Sequence, residues 1–133
     1  MLEQGRQTVK IVIVDDEPDF LKIVDDWMRP RYELTTLTSG EGLREELAAL
    51  EPDLLILDVR LPGADGFALC RQVRADARFA DLPVLFLTAS HSDVDFVKNI
   101  RAGGTAYLTK PVERKELLAK IEELLSPPPA PEG

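Results

Sequence analysis

A second cysteine is missing. With Cys70 alone, this 133-residue chain cannot close an internal disulfide, which excludes the disulfide-stapled secreted class and favours a reducing, cytoplasmic compartment. No apolar run approaches the roughly 18 residues of a membrane span. The first ten residues, MLEQGRQTVK, hold no apolar core either, so neither export nor anchoring is expected. Basic residues are in deficit: 16 Lys and Arg stand against 24 Asp and Glu, a net charge of −8 that repels nucleic acid and anionic membranes. No internal repeat is visible. What remains, 44% hydrophobic and 30% charged residues, is the composition of an ordinary globular domain with one core.

Three short apolar runs dominate the first two thirds, at 9–14 (VKIVIV), 54–57 (LLIL) and 84–87 (VLFL). Their hydrophobicity is continuous rather than alternating, as in parallel strands covered by helices on both sheet faces. Residues 33–37 (ELTTL) form a more polar candidate suited to a sheet edge, and 105–108 (TAYL) a fifth. Helical spacing fills the gaps. Phe20, Leu21, Val24, Trp27 and Met28 follow Asp16 as N-cap and Pro18, ending at Pro30. Ser39 is the expected cap of a second helix carrying Leu43, Leu47 and Leu50, and Asp65 of a third with Phe67, Leu69 and Val73. Asp93 opens a fourth through Ile100, and Leu117, Leu118, Ile121, Leu124 and Leu125 mark a fifth. Strand and helix thus alternate five times, the pattern of an open α/β sheet. Residues 1–8 read as an extension, 9–125 as one domain, and 126–133, with PPPAPEG, as a proline-rich tail or linker.

In open α/β sheets, ligands collect beyond the carboxyl ends of the strands, where strand order reverses. Those ends carry Asp15 and Asp16, Asp58, Thr88, and Lys110 before Pro111. Neighbouring strands are about 4.8 Å apart, so with strands ordered 2-1-3-4-5 the three acids share one crevice. Each like-charge pair at ~4 Å costs on the order of 4 kcal/mol at an effective dielectric of 20, so the cluster needs a cation or a protonated member. An all-oxygen donor set favours Mg²⁺, which completes its shell with water and phosphate oxygens. Lys110 adds a fixed positive charge and Thr88 a hydroxyl. The chemistry is that of a phosphoryl-handling site.

The segments VDDE (Val14 to Glu17), LDVRLPGADG (Leu57 to Gly66), LTAS (Leu87 to Ser90) and AYLTKP (Ala106 to Pro111) resemble, in order and spacing, the receiver domain of two-component response regulators. The resemblance covers about Lys10 to Leu125. It implies a flavodoxin-like, doubly wound, five-stranded parallel sheet with five helices, and a signalling module rather than an enzyme. It also implies that Asp58 accepts a phosphoryl group from a phosphohistidine on a sensor histidine kinase or histidine phosphotransfer protein. Asp16 and Asp58 would bind Mg²⁺ directly, Asp15 through water, and the Arg60 backbone carbonyl would complete the protein ligands. Lys110 would pair with a phosphoryl oxygen, with Thr88 and Tyr107 as a switch pair and Lys110–Pro111 as a cis bond. Phosphorylation would reshape the surface of the fourth helix, fifth strand and fifth helix for a downstream target protein or a homodimer. Neither nucleic acid nor membrane is an expected direct partner. A phosphorylation-independent interaction module on the same fold is the alternative. A haloacid-dehalogenase-type phosphohydrolase is disfavoured, because DDEPD (Asp15 to Asp19) does not match DxDx[TV] and no cap domain is present.

Overall fold

The computed structural model of the chain describes residues 8–89 and 105–125. Five long strands form one parallel sheet: β1 (Lys10–Val14), β2 (Glu33–Leu37), β3 (Leu54–Asp58), β6 (Val84–Thr88) and β7 (Ala106–Thr109). Their order is β2-β1-β3-β6-β7, the expected 2-1-3-4-5 of the long strands. Between β3 and β6 lies a small antiparallel pair, β4 (Arg60–Leu61) and β5 (Ala64–Asp65). The described helices are α1 (Pro18–Met28), α2 (Leu43–Leu50), α3 (Gly66–Arg74) and α4 (Arg114–Leu125), with a short 3-10 turn at Ala77–Phe79. The helix expected from Asp93 to Ile100 lies outside the described residues.

Continuous apolar runs become central strands because both of their faces are covered. All five residues of β3 and of β6 are buried, whereas β2, at one edge, has only exposed and half-buried positions. Strand period then divides the core in two. Val12, Val14, Leu55, Leu57, Val84 and Phe86 pack against Leu43 and Leu47 of α2 and Phe67, Cys70 and Val73 of α3. Ile11, Ile13, Leu54, Ile56, Leu85 and Leu87 pack against Leu21, Val24 and Met28 of α1 and Leu117 and Ile121 of α4. Cys70 is buried within the first cluster, and burial pushes its thiol above the ordinary range, as befits a small core side chain.

Two expected caps move. The N-cap of α1 is Glu17, not Asp16, because the Asp15 carboxylate accepts the Glu17 amide and Pro18 follows as the first helical residue. The N-cap of α2 is Gly42, not Ser39: Ser39 instead accepts the Glu41 amide in a turn, and Gly42, at φ +70°, lets the chain enter the helix only at Leu43. Asp65 caps α3 as expected, accepting from the Phe67 amide. Both Arg29–Pro30 and Lys110–Pro111 are cis.

Helix α2 ends on Glu51 in the left-handed region, at φ 51°, its amide donating to the Leu47 carbonyl. A glycine adopts that conformation without the Cβ penalty. Glu51→Gly is therefore expected to raise the unfolding free energy by about 0.5–1 kcal/mol, measured by urea denaturation; an unchanged midpoint would show that Glu51 is unstrained there.

Candidate functional site

Strand periodicity puts the reactive residues in phase. Asp15 follows Ile11 and Ile13, Asp58 follows Leu54 and Ile56, and Lys110 follows Ala106 and Leu108, all on the sheet face that α1 and α4 cover. Thr88 follows Val84 and Phe86 on the opposite face, where Tyr107 also packs. The registers Val14↔Leu57, Asp58↔Leu87 and Thr88↔Thr109 bring all of these ends to one edge, at the point where strand order reverses.

There the acids converge. Oxygens of Asp15, Asp16 and Asp58 lie within 4.8 Å of one another. Asp15, Asp58 and Thr88 are buried polar residues, and Asp16 is half-buried. The Lys110 ammonium donates to Asp15 Oδ2 at 2.8 Å and to Asp58 Oδ2 at 3.2 Å. It also donates to Glu17 Oε1 at 3.2 Å, a contact that the sequence reading did not anticipate. Phe20 lies beneath it, its ring centroid 5.1 Å from Nζ. The Lys110 amide is tied to the Thr88 carbonyl at 2.8 Å, which fixes the root of the lysine against β6.

Around Asp58 the backbone is tight. The Arg60 amide donates to Asp58 Oδ1 at 3.1 Å, and Val59 bonds across to the Leu87 carbonyl. At Gly66, the first residue of α3, a Cβ would stand 2.3 Å from the Asp58 carbonyl oxygen and 2.8 Å from the Val59 Cα. Only glycine permits that approach, so α3 can begin directly against the strand end that carries Asp58. Tyr107 is half-buried beside Phe86, its register partner.

Burial pushes the Asp58 carboxyl above the ordinary carboxylate range. The Arg60 amide and the Lys110 charge pull it down without prevailing, and the Asp15 charge adds to the rise. Burial works to lower Lys110, but its hydrogen bond to Asp15 and the charges of Asp15 and Asp58 hold it above its usual value, so it stays an ammonium. A raised carboxyl means that ionised Asp58 opposes folding. Its contribution to stability is complete below the ordinary carboxylate range, about pH 4, and is lost as pH rises through the raised folded value. Asp58→Asn is thus expected to be more stable than the unsubstituted protein at neutral pH in EDTA, with an advantage that shrinks as the pH falls through the raised Asp58 value and is gone below about pH 4. A variant less stable at neutral pH would contradict it, as read by thermal unfolding followed on Trp27.

The donor set fits a hard divalent cation. Two of its three carboxylates, Asp15 and Asp58, share one lysine, and Asp16 makes no hydrogen bond or ion pair among the described residues. By contrast, a cleft of about 570 Å³ between Glu51–Asp53 and Phe79–Pro83 lies at the opposite end of the strands, and its acids Glu51, Asp53 and Asp81 form no such close cluster.

A family model described as the response regulator receiver domain matches residues 11–122. The transcriptional regulatory protein GltR of Pseudomonas aeruginosa is 38% identical over 116 residues, covering 86% of this chain and 48% of that protein. The DNA-binding dual master transcriptional regulator RpaA of Synechocystis is 37% identical over 117 residues, covering 87% of this chain and 48% of that protein. The chain spans about half the length of the curated relatives it matches. Among solved structures, the chemotaxis response regulator CheY4 of Vibrio cholerae superposes with a TM-score of 0.82 at 26% identity, covering 90% of this chain and 100% of that one. The receiver domain of the sensor histidine kinase PA1611 from Pseudomonas aeruginosa, described with a magnesium ion coordinated in its active-site cleft, gives 0.79 at 27% identity, covering 90% and 98%.

Proposed function

The chain belongs to the response regulator receiver domain family, whose members signal by phosphorylation, and from that premise we propose that Asp58 is its phosphoacceptor. The observation that carries this reading is a buried carboxylate with a raised pKa, 3.2 Å from a charged lysine and beside two further acids at the sheet's reversal point. An Asp58 oxygen forms a bond to phosphorus. The bond from phosphorus to the imidazole nitrogen of a phosphohistidine breaks, and its electron pair leaves with the nitrogen. The donor is a sensor histidine kinase or a histidine phosphotransfer protein.

Asp16, which makes no hydrogen bond or ion pair among the described residues, suits a direct contact with the metal, and the fully buried Asp15, held by Lys110 and the Glu17 amide, suits a role through water. Asp15, Asp16, Asp58 and the carbonyl of Arg60 are the proposed holders of Mg²⁺, which when bound supplies charge neutralisation for the phosphoryl oxygens. Lys110, held against β6 by its amide and over Phe20 by its ammonium, supplies the fixed positive charge on the other side. Thr88 offers a hydroxyl to the new phosphoryl group, and the half-buried Tyr107, on the same sheet face of the neighbouring strand β7, responds, so the pair transmits the change towards β7 and α4.

That surface is the proposed docking site for a downstream target or a second copy. The domain unit is residues 9–125, with 1–8 and 126–133 outside it. The net charge of −8 argues against direct contact with nucleic acid by this segment. No helix among the described residues is long and apolar enough to cross a membrane, and the proposed setting is the cytoplasm.

Incubation with Mg²⁺ and acetyl phosphate, followed by intact-mass spectrometry, is expected to add one phosphoryl group to the unsubstituted protein and none to Asp58→Asn. No adduct on the former, or an undiminished one on the latter, refutes the assignment. An unlabelled protein that is also unmoved by beryllofluoride would instead be a phosphorylation-independent binding module.

A further inference from the structure

An ammonium has three N–H donors, and in Lys110 each faces a carboxylate: Asp15 at 2.8 Å, Asp58 at 3.2 Å and Glu17 at 3.2 Å. A phosphoryl oxygen that pairs with Lys110 must therefore take a place already held. The three holders are not equal. The side chain of Asp15 is 0% exposed and that of Asp58 7%, so breaking either pair strands a desolvated charge. The side chain of Glu17 is 60% exposed, and its released carboxylate is simply hydrated. Its backbone stays in place meanwhile, because the Glu17 amide is bound to Asp15 Oδ1 at 2.9 Å and the residue caps α1.

We propose that Glu17 is a positioning residue that occupies the third donor of Lys110 in the resting protein, competes there with the incoming phosphoryl oxygen, and so slows the phosphorylation of Asp58. This rests on Asp58 being the phosphoacceptor. Glu17 touches neither the reacting atoms nor Asp58; it acts only through the lysine. Its carboxylate also adds negative charge at a mouth that an anionic donor must enter, so two effects need separating: occupancy of the lysine, and charge alone. Asp19 provides the control. It is an exposed acid in the same first turn of α1 but is not a partner of Lys110.

The test is the rate of acetyl phosphate labelling as a function of donor concentration, with Mg²⁺ present. An exposed pair of this kind corresponds to about a two- to five-fold effect. Glu17→Met is expected to label about two- to five-fold faster below saturation, through a lower half-saturating donor concentration, while the limiting rate changes little. Glu17→Gln, which keeps an acceptor oxygen but loses the charge, falls between. Asp19→Asn stays near the unsubstituted rate. Magnesium affinity, titrated without donor, is unchanged in Glu17→Met. Labelling of the unsubstituted protein with Glu17→Met no faster than Asp19→Asn overturns the proposal. So does a severalfold loss of magnesium affinity in Glu17→Met, which would place Glu17 in the service of the metal. An unsubstituted protein that takes no label defeats the phosphoacceptor reading itself, and the proposal with it.

Discussion

Phe86→Ala is expected to lower the unfolding free energy by about 3–5 kcal/mol, the largest loss from any single truncation in this core. Phe86 is central to β6, fully buried, and flanked in register by Leu57 on one side and Tyr107 on the other. Its ring meets that of Phe67 edge-on, with centroids 5.0 Å apart and planes at 71°, an arrangement worth about 0.5–1.5 kcal/mol beyond the buried area. Collapse around the missing ring is hindered because its walls are strand backbones and the first turn of α3, which Gly66 already holds against Asp58. Against a typical total of about 5–15 kcal/mol, such a loss leaves the domain marginal. Urea denaturation followed by circular dichroism measures it, and a loss under about 2 kcal/mol would mean that the site repacks freely.

Most of that architecture is legible in the residues because its causes are local. VKIVIV, LLIL and VLFL are buried on both faces and read as central strands from hydrophobicity alone, and the polarity of ELTTL marks an edge. The site is legible for the same reason: each reactive residue sits at the end of such a run, so a correct strand order suffices to bring them together. Cap positions are not legible at that level. Asp16 and Ser39 have the right side chains, but Asp15 reaches the Glu17 amide first, and Gly42 in the left-handed region delays α2 until Leu43. The β4–β5 pair, two residues on each strand, is too short to carry a periodic signal. In the sequence Glu17 stands out only as a member of VDDE and DDEPD. Its contact with Lys110 spans 93 residues of sequence and exists only once β1 and β7 lie on either side of β3 and β6.

Lys110→Met is expected to cost about 3 kcal/mol of stability in metal-free buffer, although it removes no more than a charge. Methionine loses the ammonium's contact with the Phe20 ring but keeps an unbranched apolar stem whose thioether is also favourable against an aromatic ring, so packing is roughly conserved. What disappears is the cation shared by Asp15, Asp58 and Glu17. An ordinary surface pair would lose about 1 kcal/mol or less. Here the 2.8 Å partner is fully buried, and an unpaired buried carboxylate cannot recover its hydration. Most of the cost should therefore belong to Asp15, with the buried Asp58 carrying the rest: in an Asp15→Asn background, Lys110→Met should cost about 1 kcal/mol, giving a coupling of about 2 kcal/mol in the double-mutant cycle. Saturating Mg²⁺ should restore more stability to Lys110→Met than it adds to the unsubstituted protein, since a second cation then faces the same oxygens. Thermal unfolding of the four proteins, with and without Mg²⁺, decides it. Equal losses in both backgrounds would show that Lys110 stabilises by packing alone, and the electrostatic balance ascribed to the crevice would fail.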